Sequence, residues 1–338
     1  MVTDKLTTEG SAPRWRRWLV QLAAVGAVAA LFYVALAWFT DAADLAEAWR
    51  VFPLSRLPAI LGLVLLGLSL RALRWQYYSD FLDLEIPWRA NLIAFLASFA
   101  LTATPGKVGE VVKSLLLRRR FGTPVSRTAG MLVVERATDL LAVAALAIGG
   151  LWRPQIWRWA FAGAIVALLA ALVVLASRRL QRPLVRALGR LPGLRRVSGL
   201  LLELLESSRD LLRIRPLTVG LSLAVCAWSC EAFALFQILA GVKSAVSLLD
   251  AGFVFGTSTL LGVASMLPGG LGGFEATMLL LLQQLGLESA AALAATLLIR
   301  LTTLWFVSLL GALFLIVWLL LERRQGCFYL GGAVNPRR

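Results

Sequence analysis

Nine ionisable side chains fall in or beside long apolar runs: Lys107, Glu110, Lys113, Glu135, Arg136, Asp139, Glu231, Glu275 and Arg300. A charge at the centre of a bilayer costs roughly 2.5–3.5 kcal/mol on insertion scales, so such residues are a functional-site hypothesis by default. Glu135 and Asp139 are four apart and share a helix face, while Arg136 and Asp139, three apart, can pair. Lys107, Lys113, Arg136 and Arg300 are the types that hold a phosphate, arginine through its planar fork of donors. Glu110 and Glu275 can neutralise these bases, meet an amino headgroup or carry protons. The competing reading is that the charges pair among themselves and lock the helices, and both readings stand for Glu110 and Arg136. Glu231 reads as a lock, and Lys113 as close enough to the interface to snorkel.

Other chemistry is closed to this chain. It has no His, so His-based zinc sites, Ser-His-Asp triads and Cys-His dyads cannot be built. Of its three Cys, Cys226 and Cys230 read as small buried hydrophobes in an apolar run, and no disulfide framework is implied. The stretch Gly106 to Ser114 ends in Lys-Ser like a phosphate loop, but Val112 stands where that loop needs Gly. No catalytic residue, metal site or cofactor is expected, and no ATP-driven step.

The elements that must position these charges follow from composition. The chain has 338 residues, 59% hydrophobic and only 16% charged, with a mean hydropathy of +0.79. Soluble domains run near 45–50% apolar and about 25% charged, so this is an all-α polytopic membrane protein. The net charge of +15 then points to orientation and anionic lipid rather than to nucleic acid. A polar, basic tail (1–17) precedes an apolar run at 18–39, and further full spans read at about 57–78, 128–151, 156–176, 216–240 and 290–320, six in all. A tail at 321–338 follows the membrane domain of 18–320, and the basic stretch 178–215 reads as an amphipathic cytoplasmic segment or a solvated connector.

Two apolar stretches are too short to be spans. One stops at Pro105-Gly106 with Gly109 and Glu110 beyond; the other stops at Pro268-Gly269-Gly270, with Gly272, Gly273 and Glu275 beyond. Broken backbone at membrane depth is tolerated where it is buried in protein or lines a wet cavity. Both read as re-entrant helical hairpins with these Pro and Gly as hinges; Pro-kinked pairs of spans are the alternative. With the N-terminus inside, this layout puts 27 Lys and Arg in the cytoplasm, 5 outside and 2 within spans, and ten of the twelve Trp near interfaces.

The hairpins resemble each other. Pro105 and Pro268 are 163 apart, Glu110 and Glu275 165, Arg136 and Arg300 164. The halves, about 57–151 and 216–320, enter the membrane from opposite faces in this layout. That is an inverted repeat, the plan of many transporters with a site near the midplane.

Pro105-Gly106-Lys107-Val108-Gly109-Glu110, Glu135-Arg136 with Asp139, and Pro268-Gly269-Gly270-Leu271-Gly272 with Glu275 together resemble the transmembrane region of lysylphosphatidylglycerol synthase/flippase proteins. The resemblance covers roughly residues 55–320. It implies an inner-membrane protein that moves or binds a lipid headgroup, and the charge count puts both of its termini in the cytoplasm. The full-length synthases carry a soluble acyltransferase-like domain after this region, whereas here about 18 residues follow the last span, so aminoacyl transfer is not expected. The expected function is a lipid translocase for a phosphate-bearing phospholipid or glycolipid, with membrane lipids as partners and no nucleic acid. A small-anion secondary transporter on the same architecture, or a non-transporting partner of a lipid-modifying enzyme, are the alternatives. Oligomeric state is left open.

Single cysteines at Gly106 and Gly270, in a chain otherwise free of Cys, should react with a membrane-impermeant maleimide from opposite faces. Reaction from one face would remove the inverted layout.

Overall fold

A computed structural model describes residues 49–50, 52–102, 109–148, 166, 177 and 208–329, without the side chains of Glu110 and 323–329. The expected span at 18–39, all of that at 156–176 but Val166, most of the basic segment 178–215, the tail 1–17, Pro105, Gly106 and Lys107 lie outside the described residues, while the expected tail at 321–338 is helical as far as Tyr329 and described no further.

All elements among the described residues are helical. In the first half they are α1 (Leu57–Phe81), α2 (Trp88–Ser98), α3 (Gly109–Phe121) and α4 (Val125–Leu146). In the second they are α5 (Ile214–Gly241), α6 (Leu248–Ala264), α7 (Gly273–Gln284), α8 (Ser289–Arg300) and α9 (Phe306–Tyr329). A π-helical segment, Leu301–Trp305, joins α8 to α9. Three stretches are long and apolar enough to cross a membrane: Leu54–Phe81, Ile214–Gly241 and Ser289–Glu322. At 22 residues α4 also has the length, but it carries Glu135, Arg136 and Asp139. By contrast α2, α3, α6 and α7 hold 11, 13, 17 and 12 residues. At 1.5 Å per residue they reach about 16–26 Å, short of a hydrocarbon core of about 30 Å.

The central contact is the antiparallel crossing of α1 and α5. Arg56 donates to the Gln237 side chain at 3.0 Å at one end, and Tyr78 lies against Gly220 at the other. Between them Gly67 lies so close to the Ala227 carbonyl that a Cβ would stand 2.9 Å from it. Lipid tails are as apolar as Leu, so helices in a bilayer associate by close packing of small residues rather than by the hydrophobic effect.

The short helices form two folded-back pairs. Gly109 lies against Leu101 and Lys113 against Phe95, so α3 returns along α2. Phe274 lies against Gly262, and Gly273 against Ser265, so α7 returns along α6. The second break needs its glycines: Gly269, Gly270 and Gly272 have φ of 62°, 69° and 86°, a region that costs most L-residues steric energy.

Corresponding turns match in the two halves. Asp83 (φ 49°) closes α1 and Lys243 (φ 57°) closes α5, each followed by a six-residue return, Leu84 N–H to Ser79 C=O and Ser244 N–H to Leu239 C=O, both 3.0 Å. Gly122 (φ 66°) and Gly286 (φ 88°) follow α3 and α7. Each folded-back pair rests on the last helix of the other half. Gly256 of α6 meets the backbone of Val143 and Ala147, and Gly311 of α9 meets the backbone of Phe99 and Ala100.

One expectation is corrected. Cys226 is exposed and Cys230 only partly buried. In a bilayer an apolar residue is as well placed facing lipid as facing protein, and Leu309, Leu313, Ile316 and Leu320 make such an outward face on α9.

Gly311→Leu has no room against the Phe99–Ala100 backbone and should destabilise the protein by about 1–3 kcal/mol. Gly62→Ala, with nothing within 4 Å, should leave melting unchanged or slightly raised. Thermal melts of the purified variants measure both.

Candidate functional site

Polar side chains on α4 gather the first cluster. Its 3.6-residue turn puts Glu135 and Asp139 on one face, and Arg74 of α1, fully buried, reaches both. Arg74 Nη1 lies 2.8 Å from Asp139 Oδ1 and Nη2 3.3 Å from Glu135 Oε1. Nη1 also donates to Thr138 Oγ1 at 3.1 Å. The Lys113 ammonium lies 2.6 Å from the other Glu135 oxygen, and 3.7 Å from the centre of the Trp75 ring, a cation–π geometry. Trp75 is itself held, its indole N–H donating to Asn91 Oδ1 at 2.8 Å. Asp139 further accepts the Trp228 indole N–H at 3.0 Å and faces Arg136 at 3.4 Å. Arg136 is the open member, its side chain 36% exposed.

Beside it, Arg71 of α1 donates to Glu231 of α5 at 2.5 Å, and its guanidinium lies over the Trp228 ring at 4.3 Å.

The second cluster sits at the break between α6 and α7. Arg300, the last residue of α8, donates through Nε to Glu275 at 2.5 Å and through Nη2 to the Gly269 carbonyl at 2.9 Å. The other Glu275 oxygen accepts the Gly272 N–H at 2.8 Å. Backbone groups freed by the break are thus satisfied by charged side chains, the condition for irregular backbone at membrane depth. The π-helical segment begins directly after Arg300; such bulges are frequent at functional sites.

A cavity of about 290 Å³ lies between the clusters. Arg71, Arg136 and Trp228 border it on one side, Gly269, Gly270 and Arg300 on the other. Lys113, Glu135, Asp139 and Glu231 also face it, with Phe95, Phe255 and Phe274 as apolar wall. Its lining also includes Val263, Met266 and Leu267, all exposed.

The structure therefore brings together Lys113, Glu135, Arg136 and Asp139, and separately Glu275 with Arg300, around one cavity. Gly109 lies at the head of α3, and Lys107 and the Glu110 side chain are outside what is described. Lys113 does not snorkel: it is 1% exposed, because Glu135 and the Trp75 face hold its ammonium. The count of 27 cytoplasmic Lys and Arg includes Arg71 and Arg74, yet both lie inside α1 and pair with buried carboxylates. The apolar run read at 57–78 contains both, three apart, and that was the available signal; nothing in the sequence named their partners. Glu231 does pair, and it also faces the cavity.

Removing one member of a buried ion cluster leaves an uncompensated charge, at about 3–5 kcal/mol. Arg74→Met should therefore fall sharply in thermal stability, while Arg136→Met, at a side chain already 36% exposed, should lose far less. Comparable losses in the two variants would contradict this ranking.

The chain matches the family described as the lysylphosphatidylglycerol synthase TM region over residues 18–311. Two relatives described as UPF0104 membrane proteins come from Methanothermobacter thermautotrophicus. One is 25% identical over 272 residues, covering 72% of this chain and 80% of the relative. The other is 26% identical over 277 residues, covering 76% of this chain and 81% of its own length. The broken helices, the charges gathered around a cavity between them, and a match over most of the sequence agree: this multi-pass, helical membrane protein belongs to the lysylphosphatidylglycerol synthase TM region family.

Proposed function

We propose that the chain is a lipid translocase that passes a phosphate-bearing headgroup through the cavity while the acyl chains stay in lipid. The observation that carries this reading is the cavity: cationic Arg71, Arg136 and Arg300 line it and exposed apolar Val263, Met266 and Leu267 form part of its rim. A charged interior behind an apolar lip suits a ligand with a charged head and a greasy tail. Arg136, Arg300 and Lys107 bind the phosphate; Glu110, Asp139 and Glu275 balance charge.

Matching turns and exchanged helix contacts support a repeat related by a two-fold axis, and alternating access follows if its halves are inverted. On this reading the protein sits in the cytoplasmic membrane with both termini inside, catalyses no covalent chemistry, and has membrane lipids, anionic phospholipid or glycolipid, as partners. The apolar rim gives a small-anion transporter less support. The mutual pairing of Arg74, Glu135 and Asp139 favours a second reading, a rigid partner that positions a lipid-modifying enzyme; the cavity is what such a partner does not need.

Purified protein in liposomes should speed the transbilayer movement of fluorescent phosphatidylglycerol over protein-free vesicles, and Arg136→Ala should abolish most of that gain. Movement no faster than in empty vesicles, for phospholipids and glycolipids alike, would leave the second reading standing.

A further inference from the structure

The four described carboxylates around the two clusters are all engaged. Glu135 meets Lys113 and Arg74; Asp139 meets Arg74, Arg136 and Trp228; Glu231 meets Arg71; Glu275 meets Arg300 and the Gly272 N–H. The donors are not all used. Arg71 spends Nη1 on Glu231, but its Nη2 is buried and finds no hydrogen-bond partner among the described residues. The side chain is only 11% exposed, stacks on Trp228 and borders the cavity. A buried guanidinium with an idle N–H costs stability unless something completes it, and its fork matches the spacing of two oxygens on phosphate or carboxylate.

We infer that Arg71, braced by Trp228 and Glu231, is an oxyanion-binding residue of the cavity, and that the site reads a ligand's phosphate but not an amino group beside it. This rests on the translocase reading and narrows it. Arg71, whose side chain lines the cavity, keeps one donor nitrogen without a partner, whereas each described carboxylate that would greet an ammonium already has a cation. The ligand class is a phosphate monoester or diester, on a lipid or free, with no requirement for an aminoacyl or ethanolamine group. Glu231 is a positioning residue: it orients Arg71 and competes with the ligand for it.

The test is isothermal titration of the purified full chain in non-ionic detergent with dioctanoyl phosphatidic acid, dioctanoyl phosphatidylethanolamine, dioctanoylglycerol and inorganic phosphate. Phosphatidic acid should bind, phosphatidylethanolamine no more tightly, and dioctanoylglycerol at least ten-fold more weakly. Arg71→Gln should weaken phosphatidic acid binding at least ten-fold, and Arg213→Gln, on an exposed surface, should leave it unchanged. Glu231→Gln should bind tighter than the parent, because Nη1 is released from the carboxylate that competes for it; an ion pair with no part in binding would leave the affinity unchanged. If Arg71→Gln does not fold, Glu231→Gln decides: unchanged or weaker binding overturns the inference. Arg71→Gln within two-fold of the parent, or tighter binding of the amine lipid, also overturns it while leaving the translocase reading intact. Phosphatidic acid binding no better than dioctanoylglycerol removes both. Inorganic phosphate binding as tightly as the lipid upholds the role of Arg71 and makes the ligand a free anion.

Discussion

Arg74 is fully buried in the middle of the helices, and the structure around it supplies two carboxylates. Both come from α4, one turn apart, and the second of them accepts an indole N–H from α5. Lys113 closes the other side of Glu135. Helices α1, α3, α4 and α5 therefore converge on two acidic side chains. In a bilayer this convergence has weight, because hydrophobic burial does not distinguish one helix from its lipid neighbours. Ion pairing and close packing must set the arrangement instead, and an uncompensated member of the cluster is costly.

The second cluster applies the same physics to backbone. The break between α6 and α7 turns through three glycines of positive φ, which leaves peptide groups outside any helix ladder. Glu275 takes one N–H and Arg300 one carbonyl, and the two side chains neutralise each other. A turn of this kind survives at membrane depth because its polar groups are answered from within the protein. The cavity lies where the two charged assemblies approach, and its lining includes the exposed apolar side chains Val263, Met266 and Leu267.

Close contacts at Gly67, Gly256 and Gly311 bring backbones together. Those at Gly256 and Gly311 are reciprocal, so that neither half holds its own folded-back pair by itself. This is a fold in which the two halves depend on each other, and the cavity between them depends on both.

Much of this was legible in the chain itself. Membrane class follows from composition, because no soluble domain accommodates so few charges among so many apolar residues. The helix breaks follow from Pro and Gly clusters at near-constant offset, since few other residues stop an apolar helix so sharply. The charges of the site stood out because a bilayer makes them expensive. Pairing was another matter. Arg71 and Arg74 look like interface charges when counted along a chain, and Lys113 looks free to snorkel; burial became evident only when α1, α3, α4 and α5 were assembled and their carboxylates came within reach. Sequence determines what each segment can tolerate in a membrane, since hydropathy and backbone freedom are local properties. Which cation meets which carboxylate, and which donor is left without a partner, is decided by distances between segments far apart in the chain, and only the tertiary structure contains those.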